Sequence, residues 1–69
     1  MRQVVIYPDP ESNSWIAEVP GLPGCITDGA TKEEVLQNAR EAIECWLEGA
    51  AAVGMHIPSE TFDVQVCVV

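Results

Sequence analysis

An amphipathic helix beginning after Thr31 is the feature that most constrains how this chain folds. Thr31 and Glu34 form a capping box, T-x-x-E, in which each side chain can satisfy a free backbone N–H. Gly54 is the predicted C-terminal stop. Between them, apolar residues recur at helical spacing: Val35, Leu36, Ala39, Ile43, Trp46, Leu47 and Ala50. A helix with one such face requires a second layer to cover it, and we expect that layer to be a β-sheet.

Short strands precede the helix. Residues 3–7 (QVVIY) are β-branched and aromatic, and residues 8–14 (PDPESNS) are typical of a hairpin connection. Residues 15–19 (WIAEV) predict a second strand with one buried face. Prolines and glycines in residues 20–24 form a bend, and residues 25–27 (CIT) predict a short third strand.

The segment Thr61–Val69 (TFDVQVCVV) predicts a fourth strand after the helix. Because an exposed apolar edge invites pairing, we expect Val66, Cys67, Val68 and Val69 to be covered at an oligomer interface. A central position in the chain's own sheet would also explain the pattern. The predicted order is β-β-β-α-β: an α+β fold, mostly antiparallel, with one helix packed on a face of the sheet.

Length and cysteine content favour self-association. A chain of 69 residues makes one domain, here residues 1–69, and its core supplies only about 3–5 kcal/mol. Its three cysteines, Cys25, Cys45 and Cys67, are odd in number and lack the spacing of a zinc or redox motif. Free thiols indicate the reducing cytoplasm, and no segment predicts a membrane span or signal peptide.

The net charge of −8 disfavours nucleic acid as a direct ligand, since the three basic residues are scattered. Such a charge either favours a basic protein partner or serves solubility. The outward face of the helix carries four acidic residues, and it is either an ordinary solvated face or the contact surface for that partner: Glu34, Glu41, Glu44 and Glu48.

No pattern predicts catalysis or a cofactor. His56 is the single histidine and has no partner identifiable by motif. Carboxylates at Asp9, Glu11, Glu18 and Asp28 could be imagined as a nuclease-type metal cluster, but their spacing fits no motif. We therefore expect neither catalytic nor metal-binding residues.

Residues 17–47 closely resemble the HicB-like antitoxin family. The match comprises Ala17–Pro20 (AEVP), Leu22–Cys25 (LPGC), Thr27–Thr31 (TDGAT) and Glu33–Leu47 (EEVLQNAREAIECWL). The last of these follows the family's helix pattern EEALxNAxEAIExWL. The resemblance covers about half of the chain without gaps, and its motifs are more specific for fold than for function.

The resemblance implies a partial RNase H-like fold, homo-oligomers (dimers or tetramers) and a partner. That partner is a small basic HicA-type toxin that cleaves messenger RNA until the antitoxin covers it. Many HicB antitoxins continue into a DNA-binding domain, which we do not expect in residues 1–69. Two other interpretations remain open: an orphan domain with small-molecule-binding or nuclease activity, and a purely structural interaction module.

Overall fold

A β-hairpin opens the structure, which is a computed structural model and describes residues 2–69. Strand β1 (Val5–Asp9) pairs antiparallel with β2 (Ser14–Glu18). The Asp9 carboxylate closes the turn between them by accepting hydrogen bonds from the Glu11 N–H at 3.0 Å and the Ser12 hydroxyl at 2.7 Å. Asn13 has a φ of 55°, a conformation that asparagine tolerates better than most residues.

Strand β3 (Ile26–Gly29) pairs antiparallel with β2, which gives a three-stranded sheet of order β1-β2-β3. The proline-rich bend before it is compact, because Val19 and Cys25 are linked across it by a backbone hydrogen bond of 2.9 Å. Leu22, at the centre of the bend, is 1% exposed and therefore belongs to the core. The bend is therefore an ordered, hydrogen-bonded part of the core rather than a flexible loop.

Helix α1 (Lys32–Ala52) has well-defined ends. The Thr31 hydroxyl accepts a hydrogen bond from the Glu34 N–H at 3.1 Å, as the capping-box pattern predicts. At the other end, Gly54 has a φ of 69°, and the Met55 N–H donates to the Ala50 carbonyl at 2.8 Å. This is a Schellman ending, so the predicted stop at Gly54 is confirmed.

One face of α1 covers the sheet. Ala17 of β2 packs with Val35 and Ala39 in one buried cluster. Val19, Leu22 and Cys25 form a second cluster, against which Ala42, Ile43, Trp46 and Leu47 of the helix pack. The predicted α+β architecture, an antiparallel sheet with one helix on a face, is confirmed.

The chain after the helix differs from the prediction. Residues 61–69 pair with no strand in the described chain, so the fourth strand predicted there is not formed. The physical reason lies in Gln3, whose side-chain amide occupies the backbone groups that a neighbouring strand would use. Its Oε1 accepts from the Val64 N–H at 2.7 Å, and its Nε2 donates to the Phe62 carbonyl oxygen.

Candidate partner-binding surfaces

The outer surface of α1 carries an acidic face, defined as Glu34, Glu41, Glu44 and Glu48. All four side chains are exposed, as the helical spacing predicts. At 3.6 residues per turn they fall within about 80° of one another and lie opposite the buried Val35 and Ala39. No basic residue lies in the last turn of the helix. The face therefore offers a strip of negative charge roughly four turns long, on the side of the helix away from the sheet.

A cleft lies between the end of α1 and the proline-rich bend. Trp46 and Pro23 both line this cleft, and the Trp46 indole N–H donates to the Pro23 carbonyl at 3.0 Å. His56 and Cys45 both line this cleft of about 430 Å³, but no hydrogen bond joins them among the described contacts. The lining is mainly apolar and includes Met55 and Pro58. A cleft of this kind offers packing surface without a nucleophile–base pair.

The carboxylates considered for metal binding have other roles or lie apart. Asp9 holds the hairpin turn, and the hydrogen bonds from Ser12 and Glu11 lower the pKa of its carboxyl group. The Glu18 carboxylate accepts from the Tyr7 hydroxyl at 3.0 Å, a bond that raises the pKa of Tyr7. Among residues 2–69, no three His, Cys, Asp or Glu side chains are grouped closely enough to hold a metal ion.

Cys25 differs from the other two cysteines in its burial. It is 6% exposed, whereas Cys45 and Cys67 are exposed. Burial raises the pKa of the Cys25 thiol, and the nearby Cys45 adds to the effect. A buried thiol with a raised pKa is a core residue rather than a nucleophile.

The segment expected at an oligomer interface is fully exposed in the single chain. Val66 is 86% exposed and Val68 is 98% exposed, and Cys67 lies between them. Val64 is half-buried and marks the last residue held by Gln3. Residues 66–69 therefore present an uncharged strand-forming sequence with nothing packed on it in the described chain.

One surface was missed by sequence reasoning. A groove runs between α1 and the residues that lead into β1, and we call it the edge groove; it is lined by Arg2, Val4, Leu36, Ala39, Arg40 and Ile43. Its volume is about 380 Å³. Leu36 was expected to be covered by the sheet, yet it is 40% exposed because β1 ends the sheet on this side. The signal that could have found the groove is the pairing of Leu36 with Arg40, an apolar and a basic residue four positions apart.

The chain is similar in sequence to a known protein family. The model of the HicB-like antitoxin of bacterial toxin–antitoxin systems matches residues 3–67. The chain is 38% identical over 60 residues to the UPF0150 protein Ta0767 of Thermoplasma acidophilum, an alignment that covers 87% of each chain. It is 39% identical over 56 residues to the UPF0150 protein ssl0259 of Synechocystis, covering 81% of this chain and 75% of that one.

A UPF0150 protein of Archaeoglobus fulgidus is 33% identical over 48 residues, 70% of each chain. No solved structure matches the chain, so the RNase H-like relation stays a prediction from the resemblance. Across the described residues, no helix is long and apolar enough to cross a membrane. With a family model that matches nearly its whole length, the chain belongs to the HicB-like antitoxins of bacterial toxin–antitoxin systems.

Proposed function

We propose that this protein neutralises a small, basic, messenger-RNA-cleaving toxin of the HicA type by binding and covering it. The acidic face of α1 is the contact surface in this proposal. The observation that carries it is the position of these carboxylates: exposed, on one side of the helix and opposite the core. Membership in an antitoxin family implies a toxin partner in general, and the charge of the face favours a basic one.

The mechanism is occlusion rather than chemistry. A ribonuclease must bind the phosphate backbone, and it does so with basic side chains. A strip of carboxylates can bind those same side chains and exclude RNA from them. With a net charge of −8, the chain also attracts a basic protein at long range, which speeds encounter before contact. The protein therefore acts in the cytoplasm as a binding partner and not as an enzyme.

Self-association belongs to the same proposal. Each chain exposes Val66 and Val68, and covering them in a homo-oligomer removes apolar surface from water. An oligomer also presents more than one acidic face. Two linked faces bind a partner more tightly than one face where the geometry allows both to engage.

The test is a binding and RNA-cleavage measurement with the product of the gene adjacent to the one that encodes this chain. We expect a stable complex in which cleavage is silenced, and we expect its dissociation constant to rise with salt concentration. The double variant Glu41→Lys, Glu48→Lys should weaken binding by at least about tenfold, because it reverses charge within the contact surface. Both positions lie outside the edge groove.

A matched control is Glu11→Lys, Asp28→Lys, which gives the same net charge at exposed positions away from the outer face of α1. We expect this control to retain most of the affinity. Equal losses in the two variants would mean that only net charge matters, and would reject the acidic face as the contact surface. A neighbouring protein that neither binds nor cleaves RNA would reject the toxin-neutralising function itself.

A further inference from the structure

The outer edge of β1 is an unfilled position in the sheet. In the order β1-β2-β3, β1 pairs on one side only among residues 2–69. Its other side exposes backbone N–H and C=O groups that can accept a further strand. The edge groove continues from the start of β1, with Arg2 and Val4 on one wall and Leu36 and Ile43 on its helical wall. A strand added to β1 would cover these apolar side chains.

The chain also carries a segment with the composition of a strand that pairs with no strand in the described residues. Residues 65–69 (QVCVV) are uncharged and rich in β-branched valine, and Val66 and Val68 lie almost wholly in solvent. The same molecule therefore exposes both an open sheet edge and a free segment suited to fill it. The open edge leaves backbone hydrogen-bonding groups unpaired, and the free segment exposes apolar side chains to water. Pairing the segment with the edge removes both unfavourable exposures.

The chain's own segment is held away from its own edge. The Gln3 side chain stands between the two backbones, bonded to both Phe62 and Val64. The Gln3 N–H is taken by the Glu60 carboxylate at 3.0 Å, and Arg2 donates to the Pro58 carbonyl at 2.8 Å. A side-chain bridge keeps backbones further apart than the roughly 4.8 Å of paired strands. Residues beyond Val64 consequently leave β1 instead of pairing with it.

We propose that residues 65–69 of one copy add as a strand to the free β1 edge of a second copy, in a reciprocal exchange that forms a dimer. Val66 and Val68 then occupy the partner's edge groove against Leu36 and Ile43. Local charge permits this occupant, since the groove carries Arg2 and Arg40 and no acidic side chain, and residues 65–69 are uncharged. Two acidic copies repel each other overall, but they repel least where positive charge lies at the contact.

This proposal rests on the self-association proposed above and names the surface that accepts the segment. The homodimer and the complex with a basic toxin should also respond to salt in opposite ways. Two copies of charge −8 repel each other, so added salt should strengthen the dimer. The complex with a basic toxin should weaken under the same change. The two proposals can therefore fail independently.

The experiment measures the mass of the full-length chain by light scattering over a concentration series. We expect a dimer. The tail variant Val66→Asn, Val68→Asn should raise the dimer dissociation constant by about a hundredfold, because it places uncharged polar groups against Leu36 and Ile43 and adds no carboxylate for Arg2 or Arg40 to pair with. The matched control Val53→Asn, Met55→Asn introduces the same side chains, at positions 73% and 54% exposed, and should remain dimeric.

The groove variant Leu36→Glu tests the accepting surface. Leu36 is already 40% exposed, so the fold should survive, and circular dichroism checks that it does. We expect this variant to be monomeric as well. Mixing the tail variant with the groove variant should restore a heterodimer, because the intact segment of one copy then meets the intact groove of the other.

Three results would overturn the exchange. A wild-type chain that stays monomeric at high concentration would also end the self-association proposal. A dimer unaffected by either variant would place the interface elsewhere, for example on the outer sheet face that carries Tyr7 and Ile26. Failure of the mixture to form a heterodimer, with both parents monomeric and folded, would mean that segment and groove do not act between copies.

Discussion

Gly29, the last residue of β3, packs directly against the backbone of Val35 in the first turns of α1. A Cβ atom built on Gly29 would lie 2.6 Å from the Val35 nitrogen and 2.8 Å from its Cα. Neither atom can move without shifting the helix. Val35 itself is fully buried beside Ala17 and Ala39. The absence of a side chain at position 29 is therefore what allows the helix to lie on the sheet at this end.

Replacing Gly29 by alanine should destabilise the fold. We expect Gly29→Ala to lower the free energy of unfolding by about 1–3 kcal/mol, since helix and strand must separate to admit the methyl group. Urea denaturation followed by circular dichroism measures the change.

The matched control is Gly49→Ala. Position 49 lies inside α1, and an added Cβ there meets nothing within 4 Å. We expect this variant to gain about 0.5–1 kcal/mol, because alanine loses less entropy than glycine in a helix. Equal effects of the two substitutions would contradict the close packing inferred at Gly29.

The Trp46–Pro23 hydrogen bond should contribute to holding the proline-rich bend on α1. Trp46→Phe keeps an aromatic ring but removes the indole N–H that donates to Pro23 at 3.0 Å. We expect a loss of about 1 kcal/mol in unfolding free energy. Amide exchange at Leu22 and Cys25, whose N–H groups bond within the bend, should quicken in the variant. Unchanged exchange there would show that the bend is held by its own contacts alone.

Asp9 predicts a pH dependence of the hairpin turn. The Ser12 hydroxyl and the Glu11 N–H stabilise its ionised form, which lowers its pKa below the ordinary 3.8. A depressed pKa means that the stabilising contribution is present above the ordinary value and is lost as pH falls through the folded value. Carboxyl titration by NMR should find Asp9 below its usual range and should find it raised by Ser12→Ala. The same pKa in both proteins would exclude Ser12 as a cause.

The cysteines should differ in reactivity. At neutral pH and at a protein concentration low enough to keep the chain monomeric, an alkylating reagent should modify Cys45 and Cys67 quickly, because both are exposed, whereas Cys25 is buried and has a raised pKa. Mass spectrometry after brief labelling should locate two modified sites in the folded chain and three after unfolding. Fast labelling of Cys25 in the folded state would require the bend around Leu22 to open far more readily than its packing indicates.

The elements that could be predicted from sequence are those encoded locally. The helix start depends on Thr31 and Glu34, three residues apart, and its end on Gly54, so a short window contains the information. The acidic face follows from helical spacing alone. Its role does not, since exposed carboxylates look the same whether or not a partner binds them.

The fourth strand was predicted wrongly for the single chain because a strand needs a neighbour, and no local pattern specifies one. Residues 61–69 have the composition of a strand but meet the side chain of Gln3 instead of a free backbone edge. That contact joins residues about sixty positions apart. The edge groove escaped notice for the same reason, since Arg2 and Leu36 become neighbours only in three dimensions.

The two core clusters draw every member from residues 4–47, so residues 4–47 form a stable frame and residues 65–69 form an arm outside it. Global unfolding is governed by the frame. In the monomer, amides beyond Val64 should exchange with solvent almost as in a free peptide, and strand exchange between copies should slow them. Substitutions in the arm therefore leave the frame's stability nearly untouched. Such a chain can change what it associates with, through a few residues of its arm, while keeping the same fold.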